Sequence, residues 1–187
     1  DLIVLDVDAE VAPEKLVWAG SPDYVVPEVP NVGFSGDTYH KPMAIQGDWV
    51  KYSGSVMAID PSGRGKDETA YSIVKILNGF IYVHACEGLT GGYDENTLEK
   101  LAREAKKHQV NMILVESNFG DGMFTELLKP YLRKIYPVTV DEVRHNIQKE
   151  RRILDTLEPV MNQHKLVIDT SLIDRDYKST EKYPPEK

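Results

Sequence analysis

Two short apolar runs that each end on a carboxylate set the tightest limits on what this chain can become. Ser55-Val56-Met57-Ala58-Ile59-Asp60 and Asn111-Met112-Ile113-Leu114-Val115-Glu116 are too short and too continuously apolar for amphipathic helices. They predict strands covered on both faces at the centre of a sheet. A buried strand holds the carboxylate at its exposed end rigidly, and two such ends on neighbouring strands can clamp a divalent cation. Asp60 alone also suits an ordinary strand-to-turn junction. Glu116 fits that plain role less well, because glutamate after Met-Ile-Leu-Val has poor strand propensity and is costly to bury without a partner or a metal.

The elements around these runs predict a mixed sheet. Thr69–Leu77 and Phe80–Glu87 flank Asn78-Gly79, a pair suited to the positive φ angles of a two-residue hairpin, so the first three strands form an antiparallel meander. Asn96 with Glu99 three residues on resembles a helix-capping pair. Leu98, Leu101, Ala102 and Ala105 then mark one face of a helix ending near His108. Val110–Glu116 returns as a strand. Helices are expected over about Met123–Lys134, bent or restarted at Pro130, and over about Val143–Leu157, with Ile147, Leu154 and Leu157 facing inward. Leu166–Asp169 is a last short strand. This order gives an α/β fold of RNase H/RuvC-like type, with a mixed central sheet of a three-strand antiparallel meander plus parallel strands, flanked by helices.

Residues 1–51 hold five of the eleven prolines, which predicts an extended arm with two short strands, Leu2–Asp6 and Lys15–Trp18. Residues 52–187 form the folded domain. The opening on Asp1-Leu2-Ile3-Val4 reads as a segment of a larger intracellular protein, and no apolar run approaches the ~20 residues of a membrane helix. The single Cys86 excludes an internal disulfide and a thiolate zinc site, and its apolar surroundings suggest a buried, inert thiol.

Charge narrows the partners. Lys plus Arg is 22 against 30 for Asp plus Glu, a net −8, so any nucleic-acid contact must come from a local basic patch. Lys129, Arg133, Lys134, Arg144, Lys149, Arg151 and Arg152 form one, facing only Asp141, Glu142 and Glu150 in the same stretch. It could track a phosphate backbone or serve as a solvated helix face. Gly63-Arg64-Gly65-Lys66 invites a nucleotide-binding reading and fails it: Asp60 stands where a P-loop needs its first glycine, and Asp67 where it needs a hydroxyl. His145 and His164 lack metal-ligand spacing and read as ordinary surface residues. Two carboxylates are few for a two-cation site; Asp67, Glu68, Asp121, Asp169 and Asp174 are the further acids by sequence, with Asp121 better suited to a turn or cap.

Met57-Ala58-Ile59-Asp60-Pro61-Ser62-Gly63-Arg64-Gly65-Lys66-Asp67-Glu68-Thr69 closely resembles the first nuclease motif of large terminase subunits from T7-like short-tailed phages. Glu116-Ser117-Asn118-Phe119-Gly120-Asp121-Gly122-Met123 resembles their second motif, and Arg152-Ile153-Leu154-Asp155-Thr156-Leu157-Glu158-Pro159-Val160-Met161 a downstream helical segment. The likeness runs through residues 52–170, and the arm resembles the stretch after the ATPase motor. It implies a metal-dependent endonuclease that cuts concatemeric double-stranded DNA, with Asp60 and Glu116 as catalytic metal ligands for two Mg²⁺ or Mn²⁺ ions. It also implies a third acidic motif, which has no match before Lys187, and partnership with an ATPase domain, a small terminase subunit and a portal in the cytoplasm of the infected host cell. Lys149, Arg151, Arg152 and Arg144 are the candidate DNA contacts. A RuvC-like resolvase or transposase, and a non-catalytic module that docks DNA or a portal, are the rival readings.

Overall fold

A computed structural model describes residues 1–29, 34, 36–63, 67–117 and 122–181. The strands are β1 (Leu2–Leu5), β2 (Val11–Val17), β3 (Tyr39–His40), β4 (Ala44–Lys51), β5 (Gly54–Asp60), β6 (Thr69–Leu77), β7 (Phe80–Leu89), β8 (Met112–Glu116), β9 (Thr139–Val143) and β10 (Leu166–Asp169). The helices are α1 (Glu95–Lys107), α2 (Met123–Ile135), α3 (Lys149–Asn162) and α4 (Thr170–Thr180). The chain divides into two compact units: residues 1–53, 76–84 and 152–187, and residues 54–75 and 85–151. The tip of the β6–β7 hairpin counts with the first and its stems with the second.

In the second unit the strands lie in the order β7-β6-β5-β8-β9. Ser62 meets Thr69 across the turn after β5, and the two-residue turn at Asn78 and Gly79, both at positive φ, reverses β6 into β7, so the meander is antiparallel. β8 then joins β5 in parallel, and β9 joins β8 in parallel. The sheet is therefore mixed. Met57, Ile59, Tyr71, Ile73, Ile113 and Val115 pack with Leu98, Leu101, Ala102 and Ala105 of α1 and Phe124, Leu128 and Leu132 of α2. The buried face of α1 is the predicted one. Its N-cap is Asp94, whose Oδ1 accepts from the Thr97 amide at 2.8 Å, so the helix starts earlier than an Asn96 cap would allow. α2 runs unbroken through Pro130.

Two expectations are corrected here. Thr139–Val143 is a strand, where a helix was expected to begin at Val143; its β-branched residues pair with the otherwise open edge of β8, and α3 begins at Lys149. The apolar side chains of that stretch do not face inward either. Ile147 and Leu154 are each 60% exposed, Leu157 is 40% exposed, and no residue of α3 is buried.

In the first unit, β3, β1, β10 and β7 are successive parallel neighbours. Ile3, Ala12, Leu16, Leu77, Phe80, Tyr82 and Val167 form its core. The segment expected as an extended arm instead supplies β1 and β3 to this sheet and an antiparallel β2–β4 ribbon. Three of its prolines sit where no ladder donor is needed: Pro13 at the register shift of β2, Pro22 opening a 3₁₀ turn, and Pro42 between β3 and β4. Among the described residues no helix is long and apolar enough to cross a membrane.

Candidate functional site

β5 and β8 run in parallel with Ile59 opposite Val115, and each strand ends one residue later. The next step of that register sets Asp60 beside Glu116 on strands ~4.8 Å apart. Both side chains line one cavity of about 370 Å³, whose walls include Ala58, Ala70, Leu114 and Val143. Asp60 is exposed and Glu116 is half-buried.

The backbone on either side is pinned. After Asp60, the Ser62 amide donates to Thr69 Oγ1 at 3.1 Å, and the fully buried Thr69 hydroxyl donates to the Gly92 carbonyl at 2.9 Å. Gly92 has φ +61°, and a Cβ there would stand 2.5 Å from the Gly63 carbonyl oxygen, so only glycine permits this approach. After Glu116, the Ser117 amide donates to the Val143 carbonyl at 3.0 Å. Arg144 Nε donates to Ser117 Oγ at 3.2 Å, which ties the end of β9 to the end of β8.

Of the expected DNA contacts, Lys149 is brought to Asp60 itself: its Nζ lies 3.0 Å from Asp60 Oδ2. Arg144 reaches the residue after Glu116. Arg151 is exposed on α3 and is not in the cavity wall; Arg152 belongs to the other unit. Arg64, Lys66 and Asp121 lie outside the described residues. Asp169 and Asp174 belong to the first unit, and the carboxylate of Glu68 stands against Gly88 of β7.

Two side chains read differently in three dimensions. Cys86, expected to be buried, is exposed and forms part of the cavity wall, because it falls on the outward face of β7. His145, read as an ordinary surface residue, lines the same cavity as Asp60 and Glu116. Its placement follows from β9, which its two acids disguise in the sequence. Tyr71 also contributes, with its hydroxyl donating to Glu87 Oε2 at 3.0 Å.

The donor set suits a hard cation in part. Two carboxylates converge on oxygen-preferring chemistry of the Mg²⁺, Mn²⁺ and Ca²⁺ kind, and the ammonium against Asp60 shows that positive charge is accommodated there. Among the described residues, no group of three or more His, Cys, Asp or Glu is gathered for a metal.

Residues 59–166 match the family described as terminase bacteriophage T7, ribonuclease H-like domain. The chain is 42% identical over 179 residues to the large terminase subunit of Enterobacteria phage T3, covering 96% of this chain and 30% of that protein. Among solved structures, it is similar to the human cytomegalovirus terminase nuclease domain, soaked with manganese and inhibitor-bound (TM-score 0.48, 10% identity, covering 65% of this chain and 64% of that one). It is also similar to the large terminase nuclease of thermophilic phage G20c (TM-score 0.47, 13% identity, covering 62% and 58%).

Proposed function

Because the chain belongs to the family of T7-type terminase ribonuclease H-like domains, we propose that its second unit is the divalent-cation-dependent endonuclease centre of a viral DNA-packaging protein. The observation that carries this reading is the convergence of Asp60 and Glu116, from parallel neighbouring strands, on one cavity within the matched segment. Asp60, exposed at the end of β5, and Glu116, half-buried at the end of β8, would be the residues that hold the cation. When bound, Mg²⁺ or Mn²⁺ would activate water and stabilise the leaving 3′ oxygen of a DNA phosphodiester.

The chain's own residues supply the rest. The Ser62–Thr69–Gly92 bonds keep Asp60 from swinging with its turn, and the Ser117–Val143 bond does the same for Glu116. Arg144 and Lys149 offer positive charge to the phosphate backbone without reading bases. In the longer protein, double-stranded DNA is the substrate, and an ATPase motor domain, a small terminase subunit and a portal are the partners, in the cytoplasm of the infected cell.

Calorimetry with Mn²⁺ on the 187-residue chain tests the site directly. Wild type should bind; Asp60→Asn and Glu116→Gln should each weaken binding at least ~10-fold while the circular dichroism spectrum is kept, since each removes one charged oxygen ligand. Variants that bind Mn²⁺ as wild type does would refute the assignment. A non-catalytic DNA-docking module is the second reading, favoured by the Lys149 ammonium on Asp60. It predicts DNA binding with no cation at Asp60.

A further inference from the structure

We infer that His145 is a substrate-contacting residue of this site, donating a hydrogen bond to a non-bridging oxygen of a DNA phosphodiester seated between Asp60 and Glu116. The inference rests on the nuclease reading above and adds a residue to it. The segment between β9 and α3 is fastened at both ends to the two carboxylate-bearing strands. At its start, Val143 lies opposite Glu116 in the β8–β9 register, and Arg144 Nε bonds Ser117 Oγ at 3.2 Å. At its finish, Lys149 Nζ meets Asp60 Oδ2 at 3.0 Å. The intervening stretch is short, so His145 has little freedom to leave the cavity mouth, and its side chain is among the cavity's walls.

The chemistry of that wall makes an imidazole informative. Ala58, Ile59, Ala70, Leu114 and Val143 offer no donor side chain, the Tyr71 hydroxyl is turned to Glu87, and the donors left on the wall are the Ser72 hydroxyl, the weakly donating Cys86 thiol and the His145 imidazole. Asp60 and Glu116 repel a phosphodiester. An imidazole carries at least one N–H in either of its neutral tautomers and two when charged, so it can donate to a phosphate oxygen in any protonation state. It lines the cavity from the segment that follows β9. His145 is exposed, and among the described residues it makes no hydrogen bond of its own, so nothing in the packing of the unit requires it.

The test uses the 187-residue chain and a short fluorescein-labelled DNA duplex, with anisotropy read in Ca²⁺ and cleavage read in Mn²⁺. His145→Ala should raise the duplex Kd about 3- to 10-fold, the range expected for losing one ordinary hydrogen bond at an exposed site. His145→Gln, which keeps an N–H at similar reach, should stay within about 2-fold of wild type, and neither should move the thermal midpoint. Equal Kd values for wild type and His145→Ala overturn the assignment while leaving the nuclease reading in place. A loss confined to the cleavage rate, with Kd unchanged, also overturns it, because a phosphate contact must appear in binding. A wild-type chain that neither binds the duplex nor retains Mn²⁺ removes both readings together.

Discussion

The ammonium of Lys149 stands on Asp60 Oδ2, an oxygen that a divalent cation in the proposed site would also need. Both partners are open to water, with Lys149 62% and Asp60 48% exposed at the side chain, so the pair adds under ~1 kcal/mol to stability. Its consequence lies in binding. Lys149→Ala should leave the urea midpoint nearly unchanged and tighten Mn²⁺ binding by roughly 3- to 10-fold, since the carboxylate no longer has a resident counter-charge to displace. Calorimetry beside a urea titration checks both halves. Unchanged Mn²⁺ affinity would show that the ammonium and the cation do not share the site. The same variant should weaken DNA binding, so the two measurements separate a charge that holds back metal from one that recruits phosphate.

At the scale of elements, the turn after β5 depends on one hydroxyl. Thr69 Oγ1 accepts from the Ser62 amide and donates to the Gly92 carbonyl, so it joins the loop before α1 to the turn that follows Asp60. Thr69→Val preserves shape but leaves a buried amide and a buried carbonyl without this partner, at a cost of about 1–3 kcal/mol. Urea unfolding should show that loss, and Mn²⁺ binding should weaken with it as Asp60 loses its fixed direction. Stability equal to wild type would mean that water replaces the hydroxyl. β9 and α3 teach a related lesson. Asp141 and Glu142 interrupt the apolar pattern of β9, yet pairing with β8 makes it a strand, and that pairing sets Arg144 against Ser117 and His145 in the cavity wall. Of the expected face of Ile147, Leu154 and Leu157, only Leu154 and Leu157 fall on α3, and spacing shows only that a helix has an apolar face, not what covers it.

Across the whole molecule, charge is unevenly shared. The second unit carries 13 Lys and Arg against 14 Asp and Glu, whereas the first carries 9 against 16. The net −8 of the chain therefore belongs mainly to the unit that lacks the cavity. A nearly neutral unit with two or three cationic side chains near its cavity should bind duplex DNA with a shallow salt dependence. The expected slope of log K against log salt is about −2 to −3, near −0.9 for each phosphate neutralised. Anisotropy titrations across a salt series measure it. A slope several times steeper would point to an extended basic surface instead.

The amino-acid sequence was sufficient for features governed by near neighbours along the chain. The apolar runs of β5 and β8, the Asn78-Gly79 hairpin and the buried stripe of α1 follow from patterning and φ preferences, which act over a few residues. The shared motifs likewise pointed to the terminase family and its mixed sheet. Tertiary structure decided whatever depends on a partner distant in sequence. It folded the proline-rich first segment into β1 to β4 and drew β9 onto β8. It turned Cys86 outward and set Lys149 and His145 beside Asp60 and Glu116. Those outcomes rest on which backbone edges and cavities remain open once the sheet has assembled, and local sequence carries no record of that.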